Sequence, residues 1–117
     1  MLTVEDIRDY CLSKAQATED FPFDDTYLAF RVGGKIFAGL PLEKHGVVQL
    51  KCDPVLFDEV LTQHPYVSQA WHWHKRHWIQ LNLNDEPPAQ EVYRLIDHAY
   101  EVVVGKLTKK LRKELNL

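Results

Sequence analysis

The sequence predicts an α+β fold, a two-layer sandwich with helices on one face of a five-stranded antiparallel sheet, in the order helix, three strands, helix, two strands, helix. Three observations predict it. Apolar residues recur at helical spacing near both ends of the chain, a Gly-Gly pair separates two runs of strand formers, and further β-rich segments alternate with capping signals between them. An antiparallel sheet of that size needs one apolar face covered, and helices with single apolar stripes can cover it.

Each element has its own signal. Thr3 followed by Glu5 and Asp6 marks a helix start, because the threonine oxygen can accept from free amides and the acids favour the positive end of the dipole. Val4, Ile7, Cys11 and Ala15 then place a helix over about 3–16. Phe21-Pro22-Phe23 interrupts regular structure. Tyr27–Val32 and Lys35–Leu40 form a hairpin around Gly33-Gly34, where glycine tolerates positive φ. Glu43–Gly46 reads as a turn and Val47–Lys51 as the third strand. Asp53-Pro54 opens a second helix with Leu56, Val60 and Leu61 as its stripe, ending near His64-Pro65. Strands over 67–73 and 77–83 follow, joined by a turn at His74-Lys75-Arg76. After Asp85-Glu86-Pro87-Pro88, a long helix buries Val92, Leu95, Ile96, Ala99, Val103 and Leu107, with Gly105 and Thr108 as points of interruption.

The 117 residues suit one domain, 1–117, and the apolar share of 45% and charged share of 26% are those of a globular protein. No apolar run is long enough to cross a membrane, and the start Met1–Asp6 lacks the basic and apolar regions of a signal peptide, so a cytoplasmic protein without a membrane partner is expected. Cys11 and Cys52 then read as reduced, buried thiols. The net charge of −3 alone argues against a nucleic-acid partner, but its distribution argues otherwise. Residues 71–78 and 106–113 hold seven of the fourteen Lys and Arg and none of the seventeen Asp and Glu. Such segregation can steer an anionic ligand to one side; solvated faces would produce the same pattern.

The segment Trp71-His72-Trp73-His74-Lys75-Arg76-His77-Trp78 contains all three tryptophans and three of the six histidines. Strand alternation over 77–83 puts Ile79, Leu81 and Leu83 toward the helices and Trp78, Gln80 and Asn82 on the open face, where Trp78 could stack on a ligand. A bulge or cross-strand packing of the indoles is the competing account. His72, His74 and His77 have a spacing that invites a metal, yet His77 lies across the turn and no carboxylate or cysteine is close in sequence, so basic surface imidazoles are expected rather than a metal site. Cys52 precedes a helix start but has no base or oxyanion motif beside it. Glu19, Asp20, Asp24 and Asp25 read as a solvated loop. Lys106, Lys109, Lys110, Arg112 and Lys113 could serve only the negative pole of the last helix.

Several blocks in order, Glu19-Asp20-Phe21-Pro22, Phe30–Ala38 with its Gly33-Gly34-Lys35, Leu50-Lys51-Cys52-Asp53-Pro54, His72 with Lys75 and His77-Trp78, and Leu95-Ile96-Asp97-His98-Ala99-Tyr100, resemble the MmcQ/YjbR family over nearly the whole chain. The resemblance implies an α-β(3)-α-β(2)-α fold similar to type III secretion chaperones and to frataxin-like CyaY. It also implies DNA binding through paired hairpins acting as a double wing, here Gly33-Gly34-Lys35 and His74-Lys75-Arg76. The chain departs from the family's usual asparagine at His74 and from a frequent proline at Thr108.

The expected function is that of a binding module, not an enzyme, with no cofactor. It would contact nucleic-acid phosphates without sequence specificity through Lys35, His72, His74, Lys75, Arg76, Lys106, Lys109, Lys110, Arg112 and Lys113, with Trp78 stacking or wedging. The alternative is a protein-interaction or chaperone-like module that holds a peptide or forms a homodimer.

Overall fold

A computed structural model describes all 117 residues. Helix α1 (Val4–Ser13) carries the expected capping box, with Thr3 Oγ1 accepting from the Asp6 amide and Asp6 from the Thr3 amide. It stops earlier than its apolar pattern suggests because Lys14 is extended and Gln16 left-handed. The strands are β1 (Thr18–Asp20), β2 (Tyr27–Val32), β3 (Lys35–Pro41), β4 (Val47–Lys51), β5 (Val67–Gln69) and β6 (Trp78–Asn82). All neighbours are antiparallel in the order β1-β2-β3-β4-β6-β5.

The sheet thus has six strands rather than five. The addition is β1, read from sequence as part of an acidic loop. Charged residues suit an edge strand, and the alternation of β1 sends Glu19 to Arg8 of α1 while Asp20 meets Arg31. Asp24 accepts from the Thr26 amide and hydroxyl, so this segment is tied down rather than merely solvated.

Helix α2 (Phe57–Gln63) follows an Asp53 turn, and its buried anchor is Phe57; the expected Leu56 is 38% exposed, and Val60 and Leu61 are half-buried. Helix α3 (Ala89–Lys106) lies over β3 and β4 and buries the whole predicted stripe through Val103, with Leu107 buried just beyond. Thr108 then caps a separate helix, α4 (Lys109–Glu114), by accepting from the Leu111 amide. The core gathers Ile7, Phe30, Phe37, Leu50, Ile79 and Ile96 between sheet and helices. No helix is long and apolar enough to cross a membrane.

The largest departure lies between β5 and β6. The predicted strands 67–73 and 77–83 shrink to Val67–Gln69 and Trp78–Asn82. Residues 70–77 become a loop, since His72 and Arg76 have φ of 65° and 67°, outside the range of an extended strand. Its ends stay joined to the sheet through Ala70 N–H to Trp78 O and Cys52 N–H to His77 O.

Candidate functional site

The loop 70–77 folds across the sheet face that the helices leave open. Register places Lys51 opposite Trp78 and Gln49 opposite Gln80 on that face, with Gly39 opposite both Ala29 and Gln49. Gln49, the buried polar residue of the chain, organises everything above it. Its Oε1 accepts from the Tyr27 hydroxyl at 2.9 Å and from Trp73 Nε1 at 2.7 Å, while its Nε2 donates to Trp71 O and to Gln80 Oε1. Every donor and acceptor of the amide is used. Gln80 Oε1 takes the Trp71 amide, and Gln69 Oε1 takes the Arg76 amide, so neutral amide side chains seat the loop.

This arrangement makes a cleft of about 270 Å³ walled by Phe23, Tyr27, Trp71 and Trp73. Tyr27 reaches its place because position 39 lacks a side chain: a Cβ there would lie 2.0 Å from the Tyr27 hydroxyl oxygen. Burial pushes the Tyr27 hydroxyl up to about 12, so it remains a donor at neutral pH. At the mouth, Lys44 Nζ sits 3.2 Å from the Trp71 ring centre, and the His72 ring lies tilted against Trp71 at 4.1 Å. A second, shallower hollow continues past Trp71 to Lys75.

The other end of the sheet is basic. The Gly33-Gly34 turn has positive φ at both glycines, as a two-residue hairpin requires, and rests on Leu107. Lys35 follows that turn, Lys51 ends β4, Lys106 ends α3 and His77 precedes β6, so several elements bring cations to one place. The ion pairs of arginine and lysine use Arg8, Lys14, Arg31 and Arg76, and none uses these lysines. Burial, then Lys106 and Lys35, hold the Lys51 ammonium below its ordinary value; burial, then Lys51, His74 and Lys106, do the same to His77.

Of the predicted residues, Lys35, Lys106 and His74 meet at this basic end, where the His74 ring lies 4.8 Å from that of His77. His72 and Lys75 belong to the cleft instead. Arg76 does not serve as a free cation: both its terminal nitrogens bond the Asp58 carboxylate, and its guanidinium lies over Phe57. Trp78 keeps the predicted face but not the predicted exposure. It is 4% exposed, stacked under Trp73 at 4.2 Å with Lys51 at 5.5 Å from its ring centre, and unavailable to a ligand. Lys109, Arg112 and Lys113 border a groove with Asn116 and Leu117 at the C-terminal end, and Lys110 is exposed on the same helix. Sequence reasoning missed Lys51, although alternation along Val47–Lys51 puts it with Gln49 on the polar face. It also missed Lys44, Tyr27, Phe23 and Gln49, whose association depends on contacts distant in sequence.

The YjbR family model matches residues 12–102. Among relatives, the Escherichia coli K12 protein described as "Uncharacterized protein YjbR" is 29% identical over 115 residues, 97% of this chain and 98% of that protein. The O157:H7 protein described as "Uncharacterized protein YbdF" is 32% identical over 99 residues, covering 81% and 79%. Among solved structures, Deinococcus radiodurans DR2400, with domain DUF419, aligns at a TM-score of 0.90 and 34% identity over 100% of this chain and 90% of its own. A Pseudomonas syringae protein aligns at 0.71 and 27% identity over 86% and 98%.

Proposed function

From the premise that the chain belongs to the YjbR family, we propose that it is a binding module, not an enzyme, and that it holds nucleic-acid phosphates at the basic end of its sheet. One observation carries this reading: Lys35, Lys51 and Lys106 converge from a hairpin turn, a strand end and a helix end without a carboxylate partner. Mutual repulsion among unpaired cations is relieved when a polyanion arrives, and the mostly acidic remainder of the surface orients that approach. The contacts available are to phosphate rather than to base edges, since Lys35, Lys51 and Lys106 offer point-charge ammoniums without the planar fork of a guanidinium. Both thiols are buried and pushed up, Cys11 to about 12 and Cys52 to about 11, which supports binding over nucleophilic chemistry.

The test is fluorescence anisotropy with a labelled duplex and a labelled single strand at about 50 and about 200 mM salt. Lys51→Ala and Lys106→Ala are each expected to flatten the logarithmic salt slope by about one. Arg76→Ala is expected to leave it unchanged because Asp58 already neutralises that guanidinium, and Asp58→Asn to steepen it. Absence of binding at the lower salt, or a slope indifferent to Lys51 and Lys106, would overturn the reading.

A further inference from the structure

The aromatic cleft over Gln49 lies toward the opposite end of the sheet, beside the starts of β2 and β4, and plays no part in the basic site. We propose that this cleft binds a small planar aromatic anion, a ring system of one or two rings carrying a carboxylate or phosphate that Lys44 receives at the mouth.

Size, lining and charge argue for this together. A volume of about 270 Å³ falls just under the range usual for drug-sized ligands, which suits a compact guest. The walls are aromatic, and the amide below them is saturated by protein partners, so the floor offers a guest shape and stacking rather than free hydrogen bonds. Aromatic walls alone would equally welcome a cation, as in ammonium-binding cages. Here the chain's own Lys44 already stands over Trp71, His72 and Lys75 flank it, and no acid lines either hollow. An incoming cation meets like charge; an anion meets a charge-assisted donor already poised over the ring. Trp71, 55% exposed, is held by its backbone amide and carbonyl to Gln80 and Gln49, so its indole can wall the cleft without closing it.

The probes are 2-naphthoate and adenosine monophosphate, with 2-naphthamide and adenosine as uncharged counterparts. Binding is followed through the indole N–H signals of the full-length protein by two-dimensional NMR. At least one anion is expected to shift the Trp71 and Trp73 signals saturably, at least about five-fold more tightly than its uncharged counterpart, the order expected of one charge-assisted contact. Lys44→Met should erase that preference while leaving the uncharged counterpart within about two-fold, and Trp71→Ala should abolish binding of both. A response to naphthoate alone identifies a carboxylate guest, and one to the nucleotide alone a phosphate guest; either supports the assignment. It is overturned if neither anion binds, if the uncharged compounds bind as well, if Lys44→Met leaves the preference intact, or if sedimentation finds the cleft closed by a second copy of the chain. Loss of duplex binding in the salt experiment would leave this site standing, because it shares no lysine with the basic end.

Discussion

Replacing Gly39 by alanine tests how the open face is built. Gly39 sits in the middle of β3 without positive φ, so a methyl group there would ordinarily stabilise by about 0.4–1 kcal/mol through the unfolded chain. The structure reverses that expectation. The new Cβ would stand 2.0 Å from the Tyr27 hydroxyl oxygen, 2.4 Å from Cζ and 2.6 Å from Cε1, and Tyr27 cannot swing aside freely because Phe23 and Trp73 flank its ring. Overpacking of this kind costs about 1–3 kcal/mol, and loss of the Tyr27–Gln49 hydrogen bond adds about 1 kcal/mol. Gly39→Ala should therefore destabilise by about 1–3 kcal/mol net in urea unfolding followed by tryptophan fluorescence and circular dichroism. In a Tyr27→Ala background the same change should be neutral or stabilising by up to about 1 kcal/mol. An equal penalty in both backgrounds would refute the claim that Gly39 exists to admit Tyr27.

Two further outcomes follow from the titratable groups. The His77 imidazole, disfavoured as a cation by partial burial and by Lys51, His74 and Lys106, should titrate below the ordinary midpoint of about 6.5 in an NMR pH series, and Lys51→Gln should move it up. Because the unfolded chain takes that proton more readily, stability falls as pH drops through the ordinary imidazole range and is unaffected above it; a bound polyanion relieves the repulsion, so affinity rises over the same descent. A midpoint at or above 6.5 would refute this. For Cys11 and Cys52, with raised thiols and complete burial, a chromogenic disulfide reagent at pH 8 should find no reactive thiol in the native protein and both after denaturation; prompt native reaction of either would contradict their burial.

Local pattern made much of the fold legible. Gly33-Gly34 specified its own turn, and the stripe from Val92 to Leu107 specified the face of α3, because both are written within a few residues. What escaped was set at a distance. Thr18–Asp20 lacks strand-forming composition and becomes a strand by pairing with β2 and by its ion pairs to Arg8 and Arg31. His72 and Arg76 take left-handed conformations; histidine adopts them more often than most residues, but neither a lone histidine nor an arginine is by itself a turn signal. Alternation assigned Trp78 to the correct face, yet its cover, Trp73, arrives by a loop path that strand alternation cannot describe. Arg76 looked free only because Asp58, its partner, lies on another element. At the basic end, composition marks Lys35 and Lys106 as cations of basic segments, whereas Lys51 lies inside a strand and joins them through register alone.

The seat of the 70–77 loop on Gln49, Gln69 and Gln80 has a consequence for how the molecule responds to its surroundings. Amides neither titrate nor shed counterions, so acidification or added electrolyte should spare these contacts while it weakens the Arg76–Asp58 pair on the same loop and retunes the lysine-rich rim. A single sheet thereby carries an uncharged anchorage beneath charged edges, and varying the buffer interrogates the edges without loosening the anchorage.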